Sequence, residues 1–317
     1  MKILFVSSGN KILGISTIVK TQGESLVEKG MNLQYFTIKG KGIKGYLKNY
    51  KRLKVILDNY DFDLVHSHYF LSSILASFTK KTPLVVSLMG SDAYHNQIWR
   101  LGIILFNLIF WDSVIVKSSK MKYLLNLKKS YIIPNGVNIA NFNPITKDDA
   151  RTKLGLSLFK KYILFASNPD ILEKNFNLAK NAVSELNRQN VELIQVFNKP
   201  IELMPYYFNA VDVLLLTSNN EGSPNVIKEA MACNIPIVST NVGDVKEIIG
   251  NTEGCYITSY DSKDVADKLE LALSFGKRTN GREYIQHLSS EKIAVKIIEL
   301  YKKVVSSKKQ FHKKSYA

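Results

Sequence analysis

The sequence predicts an α/β protein of two similar halves, each a parallel sheet covered by helices on both faces. Three observations carry this reading. Apolar runs of strand length alternate with segments of helix length along almost the whole chain. The runs are continuous rather than alternately apolar and polar, as in strands buried on both faces. After a turn-rich stretch, NGVNIANFNPITKDD at 135–149, the pattern starts again. At 317 residues the chain has room for two domains with separate cores.

In the first half the strands are KILFV (2–6), LQYFTI (33–38), DLVHSH (63–68), LVVSLM (84–89), SVIVKS (113–118) and SYIIPN (130–135). Helix-length segments such as 16–30 and 69–81 separate them. In the second half they are YILFAS (162–167), ELIQVF (192–197), DVLLLTS (212–218), IPIVST (235–240) and CYITS (255–259). The expected domains are 1–145 and 146–285. Residues 286–317 follow, with a helix from about Ser290 to Val305 that packs back toward the N-terminal domain and a basic tail. No short internal repeat is visible.

Composition narrows the function. A hydrophobic fraction of 45% with 22% charge describes a globular chain. The two cysteines, Cys233 and Cys255, form no CxxC or Cys/His cluster, which argues against structural zinc or a disulfide framework and suits a reducing compartment. MKILFVSSGN reads as a first buried strand rather than a signal peptide. The greasiest run, LGIILFNLIFW at 101–111, is too short to span a bilayer and reads as a core helix. The net charge of +16 is concentrated: residues 39–54 hold seven Lys/Arg and no acid, and 302–317 hold six lysines and no acid. Without those thirteen, 30 basic residues face 27 acidic ones, so the bulk is near neutral. Localised charge of this kind fits anionic lipid headgroups, phosphates or nucleic acid, or simply a solvated helix face with a disordered tail. With Tyr46 and Tyr50 interleaved, 39–54 is expected to dock on an anionic membrane surface.

In open α/β sheets, ligands bind beyond the C-terminal ends of the strands. The strand DVLLLTS runs into NNEGSPN, where Ser223 suits an N-cap and Pro224 the first helical position. A helix N-terminus there is a phosphate site. Glu221 lies just outside that helix and Glu229 more than a turn inside, where a carboxylate can accept hydrogen bonds from a ribose diol. Acids stabilising the helix dipole explain the spacing equally well. Other strand ends add weight: Lys174 follows YILFAS, a loop with Gly9 and Gly14 follows the first strand, His66 and His68 close the third, and MGSD at 89–92 closes the fourth. The loop SSGNKILGIST is neither GxGxxG nor a P-loop. DFD at 61–63 reads as a turn before a strand, and no metal site is expected.

These motifs resemble the family 4 retaining glycosyltransferases of the GT-B fold, two facing Rossmann-like domains with a cleft between them. The resemblance runs through DLVHSHYFLSS, SLMGSD, IPNGVN, EKNF, the E-x7-E stretch EGSPNVIKEAMA and IPIVSTNVGDVKEII. It implies that Glu229 holds the nucleotide ribose, Glu221 faces the transferred sugar and Lys174 stabilises the leaving diphosphate. By the same resemblance Gly222, Ser223, Pro224 and Asn225 cradle sugar and phosphate, and Gly14 approaches the donor. His68, Asp92 and Gly9 fall on the acceptor or sugar side. Three departures stand out. Pro169 replaces an arginine five residues before the lysine, and Ile171 stands where closer relatives carry one. Met89 occupies the histidine position of HG-x-D. ELIQVFNKPIELMPYYFNAVD is shorter than usual, as if a helix–strand unit were missing.

The resemblance implies a hexosyltransferase acting from a nucleoside-diphosphate sugar, a UDP-sugar, on a glycan or polyprenyl-linked acceptor in cell-surface polysaccharide synthesis, with no cofactor or metal. Composition and an N-terminus that reads as a strand rather than a signal peptide suggest a cytoplasmic enzyme, peripheral on the inner face of the plasma membrane. The rivals are a nucleotide-sugar epimerase of the same fold and a non-catalytic membrane or nucleic-acid binder. The last leaves the Glu221/Glu229 spacing unexplained and shows no nucleic-acid motif.

Overall fold

A computed structural model describes residues 1–10, 14–79, 82–94, 96–186 and 188–314, with side chains as far as 308. Two compact units emerge: residues 1–136 together with 290–317, and residues 137–289.

The first unit is a six-stranded parallel sheet in the order β2-β1-β3-β4-β5-β6. Its strands are β1 (Lys2–Ser8), β2 (Asn32–Ile38), β3 (Leu64–His68), β4 (Leu84–Ser87), β5 (Ser113–Val116) and β6 (Tyr131–Ile132). The central ones are buried along their length; β4 and β5 are largely apolar for that reason, whereas β3, LVHSH, buries two histidines and a serine as well. Helix α1 (Thr17–Glu28) is capped by the Ser16 hydroxyl, which accepts from Val19 N. Then come α2 (Gly42–Leu47), α3 (Tyr50–Asn59), α4 (Phe70–Ser77), α5 (Gly90–Ala93), α6 (Gln97–Ile109) and α7 (Ser119–Leu124). Leu53, Phe70, Ile103 and Met121 from α3, α4, α6 and α7 share one core with Leu4, Val65, Val86 and Val114 of the strands, so these helices form one layer. The Phe62–Asp63 end of DFD serves the fold: Phe62 is in that core and Asp63 accepts from Lys2 N at 2.8 Å.

The second unit carries a five-stranded parallel sheet in the order β11-β10-β9-β7-β8: β7 (Lys161–Phe165), β8 (Val191–Gln195), β9 (Val213–Leu216), β10 (Ile237–Thr240) and β11 (Cys255–Thr258). Its helices are α8 (Lys147–Leu154), α9 (Phe176–Glu185), α10 (Met204–Ala210), α11 (Asn225–Ala232), α12 (Val245–Ile249), α13 (Ser262–Phe275) and α14 (Gly281–Tyr284). Asp212, ahead of β9, takes Arg151 at 2.9 Å and Lys147 at 2.6 Å; burial alone would raise its carboxyl, but the Lys147 bond and further partners hold it below the usual range.

Three expectations need correction. The domain boundary lies at 136/137, not 145/146, because 137–145 is built into the second unit: Phe142 meets Phe208 edge-on, Arg282 binds the carbonyls of Ile139 and Phe142, and Arg278 binds that of Ile145. Its far boundary lies at 289/290, where Val137 N donates to Leu288 O at 3.0 Å. The C-terminal helix runs Ser290–Lys314, past the tail's expected start, and packs on α1. The run at 101–111 is no core helix: of α6, Ile103 alone is fully buried and the outward face is apolar. Of the helix expected at 69–81, Lys80 and Lys81 lie outside the described residues. Among the described residues no helix is long and apolar enough to cross a membrane.

Besides its buried apolar face, the C-terminal helix makes a buried polar contact with β3. The fully buried Tyr301 hydroxyl meets His66 Nδ1 at 2.5 Å, and His66 Nε2 meets Ser87 Oγ at 2.8 Å. Tyr301→Phe leaves a ring nitrogen unpaired in the core, an expected loss of about 1–3 kcal/mol, measured by denaturant unfolding; an unchanged midpoint would remove the contact from the account of that helix.

Candidate functional site

In the second sheet the chain winds one way from β7 to β8 and the other way from β9 through β11, so the switch point falls between β7 and β9. Crevices at such points are where open α/β sheets bind ligands. Lys174 comes from the segment after β7 and Glu221 from the segment after β9, and Lys174 Nζ lies 2.5 Å from Glu221 Oε1. Ser218 Oγ donates to the same oxygen at 2.9 Å. The two segments are laced together by backbone contacts: Asn219 N donates to Glu173 O at 2.8 Å, and Thr217 Oγ1 donates to the carbonyls of Lys174 and Asn175, each at 3.0 Å.

Below this pair lies a buried charge network. Lys228 of α11 has no exposed surface; its Nζ donates to Ser223 Oγ at 2.6 Å, and Ser223 Oγ donates to Asp244 Oδ2 at 2.7 Å. Burial lowers the Lys228 ammonium to about 8 against the pull of Asp244 and Glu229. Burial likewise raises the Asp244 carboxyl, with Lys228 opposing. Glu229, partly open to solvent, is pushed up to about 7 by desolvation, again with Lys228 opposing. The loop after β10 closes on the same place. Gly243 sits at φ +58, and a Cβ there would stand 2.8 Å from the Gly222 carbonyl oxygen, so the glycine is required.

The helix start differs from expectation. Helix α11 begins at Asn225 with Pro224 as N-cap, because the Ser223 hydroxyl is taken by Lys228 and Asp244 and does not cap. The first-turn N–H groups of such a helix have no intrahelical acceptor. Beside them the buried Asn225 Oδ1 has no partner. Glu221, Lys174, Glu229, Gly222, Ser223, Pro224 and Asn225 therefore gather around one switch point. Lys228 and Asp244 complete the group and escaped the sequence reading; the signal was a lysine set directly before Glu229 among apolar and small residues.

The first unit does not repeat this at its own switch point, between β1 and β3. Here the expected acceptor-side residues turn inward. His68 is completely buried, bonded through Nε2 to Gln22 Oε1 at 3.0 Å and stacked on His66 at 4.3 Å; burial and Lys117 bring it down to about 3, so it stays neutral. Asp92 serves as a cap: its buried carboxylate accepts from Phe70 N at 3.2 Å and Met89 N at 2.7 Å. Met89 is itself buried. Gly9 N donates to Ile38 O at 2.8 Å and a Cβ would strike Thr37, so its smallness serves the sheet edge. Gly14 has φ +76 with open space around it. Residues 11–13 of that loop lie outside the described residues. Among the described residues no three His, Cys, Asp or Glu side chains group as metal ligands.

Comparison with known proteins finds the same two halves. Residues 19–141 match the family model Glycosyltransferase Family 4, and residues 172–274 match Glycosyl transferases group 1. An uncharacterized glycosyltransferase of Methanocaldococcus jannaschii is 27% identical over 299 residues, covering 84% of this chain and 82% of that one. TuaC of Bacillus subtilis, a glycosyltransferase assigned to teichuronic acid biosynthesis, is 24% identical over 238 residues, covering 65% of this chain and 60% of its own. Among solved structures, Anabaena HepE in complex with UDP-glucose superposes with a TM-score of 0.77 at 16% identity, covering 96% of this chain and all of that one.

Glu229 gives the second unit a pH-dependent stability. Its folded value of about 7 lies above the ordinary 4.5, so its favourable contribution is complete below about 4.5 and is lost as pH rises through about 7. Glu229→Gln is therefore expected to raise Tm relative to the wild type at pH 8 and to do so much less at pH 5. An equal Tm difference between variant and wild type at pH 5 and pH 8 would rule the desolvation of Glu229 out as a source of pH-dependent stability.

Proposed function

The chain is a family 4 glycosyltransferase of the GT-B fold, a transferase acting on sugars, and we propose that it moves a sugar from a nucleoside-diphosphate sugar to a glycan or polyprenyl-linked acceptor with retention at the anomeric carbon. The observation that carries this is the Lys174–Glu221 pair at the switch point, beside the N-terminus of the helix that bears Glu229. UDP is the favoured nucleotide, supported by the similar fold of HepE in complex with UDP-glucose.

In this reading the bond from the anomeric carbon to the diphosphate oxygen breaks and its electrons leave with the diphosphate. The acceptor hydroxyl oxygen bonds to that carbon on the same face and gives its proton to the departing phosphate oxygen. The protein supplies position and charge. An ammonium has three N–H donors, so the Glu221 bond leaves Lys174 with capacity for a phosphate oxygen. The free N–H groups and positive end of α11 add to it. Glu229 accepts hydrogen bonds from the ribose diol, and Glu221 faces the donor sugar while holding Lys174. Lys228 and Asp244 position the cradle through Ser223. Neither Pro169 nor Ile171 adds a cation, so Lys174 carries more of the leaving-group charge. No metal or cofactor enters this scheme.

The acceptor is proposed to lie at an anionic membrane, on the inner face of the plasma membrane, in cell-surface polysaccharide synthesis; the likeness to TuaC supports this. All seven cations of 39–54 are exposed. Tyr46 is buried in the core and the half-buried Tyr50 packs against it.

A thermal-shift screen of UDP, GDP and ADP should show stabilisation by UDP that disappears in Glu229→Ala. Lys174→Met should lower kcat by about 10²–10³, and Glu221→Gln should also reduce turnover. NMR of the product should show the donor's anomeric configuration. An inverted product, or an epimerised donor released without acceptor, would replace retaining transfer with another reaction.

A further inference from the structure

Helix α6 presents six exposed side chains, and none is charged: Gln97, Ile98, Leu101, Leu105, Leu108 and Ile109. The five apolar ones are 80%, 65%, 53%, 76% and 60% exposed. Their spacing puts them on one helical stripe. The opposite side is fully engaged. Ile103 is buried, Trp99 and Phe106 lie edge-on to Phe70 at 5.0 and 5.9 Å, and a Cβ on Gly102 would touch that same ring at 3.1 Å. The helix is thus already seated by one face, and its outer face is a contiguous apolar strip of the kind that marks an interaction surface.

The charges around the strip say what covers it. On one side α4 touches both α6 and α2, and α2, α3 and the residues around them carry the exposed cations Lys39, Lys41, Lys44, Lys48, Lys51, Arg52 and Lys54. On the other side α5 touches both α6 and α7, and Lys120, Lys128 and Lys129 are exposed beside Tyr123, which is 86% exposed. These helices belong to one layer over one face of the sheet. An apolar stripe flanked on both sides by cations matches an anionic lipid leaflet, hydrocarbon against the stripe and phosphates against the ammonium groups. At about 20 Å, a 13-residue helix can lie in the interface but cannot span it.

We infer that α6 is an in-plane membrane anchor: the Ile98–Ile109 stripe inserts into the headgroup–acyl boundary of an anionic leaflet, and the cations of 39–54 and of α7 with its following turn engage the headgroups. This deepens the membrane docking proposed above, adds a hydrophobic anchor to it, and is independent of sugar transfer.

Co-sedimentation with phosphatidylcholine vesicles, with and without phosphatidylglycerol, tests it on the full chain. Binding is expected with the anionic vesicles. Leu101→Glu/Leu105→Glu should weaken it by about tenfold or more, and Lys44→Glu/Lys48→Glu should weaken it in a salt-dependent way. A Leu105→Trp variant should gain emission, relative to wild type, that bromines on the acyl chains quench. The substituted positions are exposed, so the variants should keep the wild-type circular dichroism and any UDP-induced thermal shift, which belongs to residues 137–289. Unweakened binding by the double-glutamate variant, or unquenched added emission from the bound Leu105→Trp variant, would overturn the insertion. So would a dimer in solution that the glutamates dissolve, since a second copy would then cover the strip. A wild type that binds vesicles but shows no shift with UDP, GDP or ADP would sink the proposed nucleotide-sugar donor and leave the anchor standing.

Discussion

A lysine ammonium with no exposed surface is the constraint around which the candidate site is arranged. Lys228 cannot be left alone in a medium of low dielectric, where an unpaired charge costs several kcal/mol. It therefore fixes Ser223, and through it Asp244, at hydrogen-bond distance. That joins the segments after β9 and β10 and leaves only a glycine room at 243. It also explains why the helix starts two residues beyond the serine. The same ammonium tempers two acids that burial would otherwise neutralise more strongly, Asp244 and Glu229. One buried charge thus shapes the cradle and opposes, without cancelling, the upward shift that burial gives its carboxylates.

Both units obey the same winding rule, yet they use their strand ends differently. In the second unit the polar residues after β7 and β9 turn to one another across the switch point, and the Lys174–Glu221 pair keeps partial exposure. In the first unit the corresponding polar groups are consumed internally. His66 holds the C-terminal helix, His68 is sealed against Gln22, and Asp92 caps the start of α4. A buried histidine with a value near 3 is neutral at neutral pH and carries no charge there. Fixed charge in the first unit appears instead on its outer helical layer, beside the apolar stripe of α6.

The strands and the two-unit plan were legible because they depend on local pattern. Strand-length runs rich in apolar and β-branched residues are a local signal, and each of the eleven expected runs contains a strand. The Glu221–Glu229 spacing was legible for a similar reason: a strand end followed by a helix start fixes where two side chains eight residues apart can stand. Lys174 was readable as the cation after the preceding strand.

What the chain pattern could not determine is which polar side chains face inward, because that depends on partners far away in sequence. Tyr301 and His66 are 235 residues apart. Lys228 reads as an ordinary surface lysine until the loop carrying Asp244 folds over it. Ser223 reads as a cap until that lysine claims its hydroxyl. The run at 101–111 reads as core because its composition is apolar, but a helix has two sides, and the neighbouring helices left room in the core for only one. Local periodicity names the elements; which face or charge is buried is decided by the sheet order and by the helices that arrive from elsewhere in the chain.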